Sequence, residues 1–555
     1  MKTIKRILLL LLIFSLSACN FNKDEKIEKP EEPQNEDVKI ITVGMKNVDF
    51  ELNPILAKKE SDIILSELLF ASLITNDKTG NPMPYIAKSW KFSEDSKSLT
   101  FDLRDDVYFS DGSKLTAQDV IHTYMAIGDS SYNGPYKEYV KALKGMKEYA
   151  DNKGEFVALS SENENTVTFH FNNSNENNIW RANIPILSKA HYKDIRGNIE
   201  KLKKLNKNPV GAGPFKLKEF KDNEIIMEVN DKYFYDKPKI EAIKFLKLDP
   251  QDILPALREG KIDINLNFNF SKLNKKIISD TLGENINILE YPKGDYSYIS
   301  LNLKEEAFAN KNVRKALMFG INRKAFVEDY YGLNNARIIN NSFSADSWVY
   351  DEESEKKLEQ YDYDEEKANE LLEKEGYIRN SNGIREKDGK ALSIRISSYK
   401  NVDWISKFVP VLKDNWSKLG IKVESEYLDF DSMEKIIADQ KYQVRIGSWK
   451  YNLDPDQSAV FHSVEMFKSG NNSQGFNNKL SDELLKKAGK SKDSKERIKL
   501  YSDWSKLIND ELPYLFLYNP NKMDLVRKQI TGLENLSTFV KFSNPSVITK
   551  LEKKN

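Results

Sequence analysis

Apolar residues recur along this chain at two different spacings. The stretches "KIITVGM" (39–45), "TVTFHF" (166–171), "LSIRISSY" (392–399) and "IKVESEYL" (421–428) alternate apolar with polar positions, which predicts strands. Helical spacing appears in "DIILSELLFASL" (62–73), "NVRKALMFGINRKAFVEDYY" (312–331), "DEEKANELLEKEG" (364–376), "VPVLKDNWSKLG" (409–420) and "KERIKLYSDWSKLINDE" (495–511). In the second of these, Val313, Leu317, Ile321 and Ala325 fall on one face, predicting a single long amphipathic helix. Gly376 and Gly420 stand where helices end. "GAGPF" (211–215) reads as a tight turn between strands. Helices interleaved with strands predict α/β lobes. No repeat of 20–50 residues is present, which argues against a solenoid or propeller.

The N-terminus follows another pattern. Lys2, Lys5 and Arg6 precede an apolar run from Ile7 to Leu16, too short to span a bilayer comfortably and suited to a secretory signal. It ends in Leu16-Ser17-Ala18-Cys19, which resembles a bacterial lipobox. The resemblance implies cleavage after Ala18 and a diacylglyceryl group on the Cys19 thiol. Two acyl chains are about what stable anchoring requires. Cys19 is the only cysteine, so no intramolecular disulfide can form. Residues 20–37, "NFNKDEKIEKPEEPQNED", carry two prolines, many acids and almost no apolar groups, the composition of a solvated tether. The expected location is the extracellular face of the cell membrane, with a globular body held by its lipid anchor.

At 555 residues the chain is too long for one core, so two or three domains are expected. Its formal charge of zero becomes −3 once the three leader cations are removed, giving no electrostatic case for nucleic acid. Catalytic patterns are missing. There is no G-x-S-x-G elbow, no H-E-x-x-H, no phosphate-binding glycine loop, and the four histidines do not pair at i, i+4. Neither a catalytic group nor a cofactor or metal is expected.

Several ordered segments then converge. "LNPILAKKESDIILSELLFASLITNDKTGNPMPYIAKSW" (52–90), "SEDSKSLTFDLRDDVYFSDGSKLTAQDVIHTY" (93–124), "NPVGAGPFKLKEF" (208–220) and "NVRKALMFGINRKAFV" (312–327) resemble the solute-binding lipoproteins of peptide ABC importers, the oligopeptide/dipeptide-binding family 5. The second segment is the most specific. Asn53, Ala212 and Asn322 depart from the usual Asp, Thr and Asp. The resemblance implies a two-lobed periplasmic-binding-protein-like (class II) α/β fold with an extra inserted subdomain. After a signal peptide (1–18) and tether (19–37), one lobe would combine 38–75, 208–290 and 522–555. The subdomain would occupy 76–207 and the second lobe 291–521. An oligopeptide would be enclosed between hinged lobes of a monomer and delivered to permease transmembrane subunits with their ATPases.

The resemblance also places "VRIGSWKYNLDPDQSAVFHS" (444–463) at the cleft. Many relatives carry an aspartate there that holds the peptide ammonium. Aligning on Gly447 and Pro455 puts Tyr451 at that position, and aligning on Trp449 puts Asn452 there. Candidate ligand contacts are therefore Trp449, Tyr451, Asn452, Asp454 and Arg445. Flat aromatic area, an amide and charged groups suit an extended peptide. Asp454 has a competing role in capping its own turn, Trp449 in core packing, and Arg445 can equally face water on an alternating strand. A metal chelate, haem or sugar, peptide-pheromone reception and surface peptidase activity stand as alternatives.

Overall fold

The computed structural model describes residues 39–198, 200–467 and 470–554. The signal, Cys19 and the whole tether lie outside the described residues. Among the described residues twelve strands build the main sheet, eleven of them β1 (Ile40–Met45), β2 (Phe215–Lys221), β3 (Glu224–Val229), β4 (Ala242–Lys247), β5 (Ile264–Phe268), β6 (Ile286–Pro292), β7 (Asp295–Leu301), β8 (Ser393–Tyr399), β9 (Lys422–Leu428), β10 (Val444–Lys450) and β11 (Tyr514–Arg527), and the helix α1 (Glu60–Leu69) follows β1. Their order is β9-β8-β10-β7-β11-β5-β1-β4-β3-β2; β6 and the short strand Ala336–Ile338 also pair with β11.

β11 ties the two lobes together. Its first half runs antiparallel to β7, matching Ser300 to Tyr514 and Ser297 to Tyr518. Its second half pairs with β5, matching Ile264 to Val526, and with β6, matching Ile286 to Arg527 and Pro292 to Asn521. β6 and β7 pair with successive halves of β11, so the chain crosses from the β5 and β6 side of the sheet to the β7 side at Lys293-Gly294 and returns along β11 at Asn519-Pro520-Asn521. The Asn519 side-chain amide donates to the carbonyls of both Lys293 (2.7 Å) and Asp295 (2.6 Å), and the Lys293 N–H donates to the Pro520 carbonyl (2.8 Å). These bonds lash the two crossings side by side.

Strand alternation gives the second lobe two unlike faces. Ile299 and Leu301 of β7, Val444 and Ile446 of β10, and Leu515 and Leu517 of β11 join an aliphatic core. It also takes in the helices α2 (Lys311–Phe319), α3 (Arg323–Tyr330) and α4 (Asp403–Lys418). On the opposite face Tyr296, Tyr298, Tyr514 and Phe516 form an aromatic cluster with Phe343, Phe461, Tyr501 and Trp504. A further core unites the first lobe with a subdomain whose antiparallel sheet runs Ala87–Phe92, Ser98–Leu103, Thr166–His170, Leu159–Asn163. The subdomain helix Ala117–Ile127 opens on a capping box between Thr116 and Asp119, as that sequence allows.

Two sequence expectations need correction. The stretch 312–331 is not one helix. It breaks at Gly320-Ile321-Asn322, because Asn322 adopts a non-helical backbone, caps α3 by accepting from the Ala325 N–H (3.0 Å), and donates its own N–H to Asn415 Oδ1 (2.9 Å). α4 begins at Asp403, two turns ahead of the predicted start at Val409, and carries Pro410 inside it.

The glycines of "GAGPF" also serve differently from a turn. The helix Glu60–Leu69 ends at Phe70, and the loop lies directly on its last carbonyls, with the Gly213 N–H donating to the Leu69 carbonyl (3.0 Å). A Cβ on Gly211 would sit 2.1 Å from the Leu69 carbonyl oxygen, and one on Gly213 2.5 Å from that of Leu68. Backbone cannot yield as a flexible side chain would. Gly211→Ala is therefore expected to destabilise the fold by roughly 1–3 kcal/mol, the usual range for overpacking. A denaturant midpoint equal to wild type would show that the approach is looser than this geometry.

Candidate functional site

A cavity of about 2190 Å³ lies between the lobes. Ordinary small-molecule pockets hold about 300–1,000 Å³, so it has room for a far larger guest. The first lobe contributes Glu60, Ile63 and Glu67 from the helix Glu60–Leu69 and Phe70 just after it, together with residues near 267–274 and 538–545. Pro135, Tyr136, Tyr139 and Arg181 come from the subdomain. Opposite them stand Tyr330, Tyr331 and Trp404 and the loop after β10, Lys450–Asp454.

That loop is the one singled out from the sequence, and the structure divides its candidates. Tyr451, Asn452 and Asp454 line the cavity. Trp449 and Arg445 are not among the lining residues. Both lie on the aromatic face of β10, the face turned away from the aliphatic core. Trp449 stacks over Tyr298 (centroids 6.3 Å apart, planes at 10°) and its indole N–H donates to the Tyr514 hydroxyl (3.3 Å). Arg445 is buried and donates to the Tyr298 hydroxyl (3.0 Å) and to Ser473 Oγ (2.9 Å). Rings of electron-rich Tyr298 and Tyr442 stand 5.5 and 5.6 Å from its guanidinium. These two residues build the wall behind the loop. Tyr451 packs its ring 5.2 Å from Tyr296, which fixes the loop to that wall.

Asp454 combines both roles weighed for it. Its Oδ1 accepts from the Asp456 N–H (3.0 Å), closing an Asx turn, while Oδ2 meets Arg181 Nη2 (3.4 Å). Arg181 belongs to the subdomain and lies over the Tyr139 ring at 4.4 Å. The pair therefore spans the cleft. Further cross-cleft bonds join Asn177 to the Tyr501 hydroxyl (3.1 Å) and the Thr79 carbonyl to the Trp348 N–H (2.9 Å).

Asparagine is the lining residue that sequence reasoning overlooked. Ten asparagines line the cavity. The amides of Asn401, Asn452, Asn471 and Asn521 make no side-chain hydrogen bond among the described residues. A side-chain amide offers two donors and an acceptor, the complement of a peptide unit. Tyr136, Tyr139, Tyr330, Tyr331 and Trp404 add flat surfaces between them.

Comparison with known proteins places this arrangement. Residues 81–474 match the family model "Bacterial extracellular solute-binding proteins, family 5 Middle". The chain belongs to this family. It is thus a bacterial extracytoplasmic solute-binding protein. The oligopeptide-binding protein AppA of Bacillus subtilis is 26% identical over 536 residues, covering 95% of this chain and 94% of the relative. The structure of B. subtilis AppA in complex with a nonapeptide superposes with a TM-score of 0.72 at 23% identity, covering 93% of this chain and 99% of that one. NikZ of Campylobacter jejuni, in complex with Ni(L-His), superposes with a TM-score of 0.74 at 24% identity, covering 93% and 100%. The two-lobed α/β fold is common to all three.

The Asp454–Arg181 bridge gives this family 5 protein a titratable contact. Burial pushes the Asp454 carboxyl up to about 7; Arg181 lowers it, and Asp456 raises it again. The folded state thus keeps a proton that the unfolded chain releases near pH 4. Between about pH 4 and 7 this one group makes folding less favourable as pH rises, and the cost is fully present above pH 7. Asp454→Asn removes that dependence. The stability of wild type relative to Asp454→Asn is expected to be higher at pH 5 than at pH 8 in denaturant titrations. A difference flat with pH would contradict the assignment.

Proposed function

We propose that this protein captures oligopeptides in the interlobe cleft and hands them, chemically unaltered, to the transmembrane subunits of an ABC importer and their ATPases. The cleft lining carries this reading. Free amides on the second-lobe wall and at the crossing of a large cavity suit the repeating donor–acceptor pattern of an extended main chain, and aromatic faces accept varied side chains. The oligopeptide-binding relative and the nonapeptide-bound structure support the same ligand class. Among the described residues, no histidine or cysteine lines the cavity.

In this reading Asp454 is the acidic group best placed for a peptide ammonium. It has Arg181 as its neighbour when the cleft is empty, and a ligand cation would strengthen its charged form. Asn452 and Tyr451 flank it, with Asn452 bonding a peptide unit. The lobes close as rigid bodies about the two crossings at Lys293-Gly294 and Asn519–Asn521, a hinge motion that couples binding to a population shift. The mature chain acts as a monomer tethered through diacylglyceryl-Cys19 on the outer membrane face, without a cofactor.

Incubation with a pool of 6–10-residue peptides, followed by removal of unbound material and mass spectrometry, tests this directly. Peptides are expected to be retained and recovered intact. Retention of none, or recovery of cleaved products, would overturn the reading. The double change Asn452→Ala, Asn521→Ala is expected to weaken retention roughly threefold to thirtyfold, from the loss of two net hydrogen bonds at about 0.5–1.5 kcal/mol each in calorimetry. Unchanged affinity would remove the amides from the site.

A further inference from the structure

The hinge side of the cleft carries charge that main-chain recognition does not use. Lys293, Lys450, Lys522 and Lys541 all line the cavity, together with Glu60 and Asp295. They arrive from four separate parts of the fold. Lys293 sits at the first crossing and pairs with Asp295 (2.8 Å). Lys450 ends β10, in register with Asp295 of β7. Lys522 follows the second crossing on β11, opposite Tyr291, where its ammonium lies 4.7 Å from that ring and donates to Asn267 Oδ1 (3.2 Å). Asn267 in turn donates to Glu60 Oε1 (3.2 Å), so one amide connects Lys522 to the start of the helix Glu60–Leu69. Lys541 approaches from the C-terminal segment of the first lobe.

These cations have too few partners. Among the described residues, Lys450, Lys522 and Lys541 form no ion pair. Nine carboxylates of the described residues line the cavity, but only Asp295 pairs with any of these four lysines, and its partner is Lys293. Asp524, just behind Lys522, is buried, accepts from the Tyr291 hydroxyl (2.5 Å), and is raised by that burial toward its neutral form. The local field shows in Glu60. Burial raises its carboxyl, yet Lys522, Lys450, Lys541 and Lys293 outweigh burial and hold it below the ordinary range. Lys46, which donates to Asn269 Oδ1 (3.1 Å), stands nearby and is itself lowered by burial and by Lys293. Cations gathered at a low-dielectric wall without ion-pair partners favour an incoming negative charge.

We propose that this lysine cluster is a side-chain subsite for Asp or Glu in the bound peptide, making the cleft selective for acidic peptides. The inference rests on the peptide reading above and adds a preference to it. A peptide's own terminal carboxylate has the same chemistry. It carries one charge, however, and the cavity also takes in Tyr330 and Trp404 on the second lobe and Tyr139 and Arg181 on the subdomain, so its volume is not used up by a chain end at the lysines.

The test uses the full chain and three pools of hexapeptides in an alanine/tyrosine background. Each pool carries one Glu, one Gln or one Lys, and each is made with free and with amidated C-termini. Competition at low salt, read by native mass spectrometry, is expected to favour the Glu pool over the Gln pool on the order of tenfold, whether or not the C-terminus is amidated. The Lys pool is expected to bind least. Lys450→Gln with Lys541→Gln should erase most of the Glu preference and leave Gln-pool affinity unchanged, while the Arg pair at the same positions should keep it. Equal binding of Glu and Gln pools, a preference that survives the Gln double variant, or one abolished by amidation would overturn the subsite. If wild type binds none of the pools, the peptide reading itself fails.

Discussion

The Asn519 amide, shared between the carbonyls of Lys293 and Asp295, is the constraint on which the rest of the molecule depends. It holds the two chain crossings against each other where β11 leaves β7 and takes up β6. A strand interior is stiff because its backbone groups are committed to neighbours, and at the crossing those commitments change sides. Pro520 sits at that point with no N–H to offer a ladder, and Gly294 gives the other crossing freedom. Motion between the lobes is therefore confined to one short line, while each lobe keeps its own sheet and core.

The cleft follows from that geometry. Its floor is the hinge, and so the lysines beside the crossings become floor residues. Its walls are the helix Glu60–Leu69 and the loop Lys450–Asp454. The loop holds its shape because the strand leading into it buries Arg445 and Trp449 against tyrosines on the far face of the sheet. A buried guanidinium among phenol oxygens and rings costs desolvation, and its hydrogen bonds and the ring faces offset part of that cost. Arg445 and Trp449 thus lie one layer behind the cavity surface, and the side chains of Tyr451, Asn452 and Asp454 line it. Asp454 and Arg181 complete the enclosure from opposite lobes, so any guest that reaches Asp454 competes with a contact that also helps close the cleft.

Local pattern made part of this legible. The strands at 40–45, 393–399 and 422–428 and the helices at 365–374 and 494–511 emerge from alternation and 3.6-residue spacing, because in them burial follows period alone. The ordered family segments gave the two-lobed architecture. The break at Asn322 was hidden because its cause is Asn415, distant in sequence. The packing of Arg445 and Trp449 against tyrosines was not legible because alternation names two faces without saying what covers each. The asparagines and the lysines were invisible for another reason. Asn76 and Asn544, or Lys293 and Lys541, are brought to one surface only by the fold, and singly each reads as an ordinary solvated residue.

The central claim is that the two lobes turn about the crossings at Lys293-Gly294 and Asn519–Asn521 to enclose a guest. Small-angle X-ray scattering of the mature chain, with and without a saturating oligopeptide pool, measures that motion in solution. The account predicts a smaller radius of gyration with peptide bound. Identical scattering from the two samples, with binding confirmed on the same material by calorimetry, would contradict it.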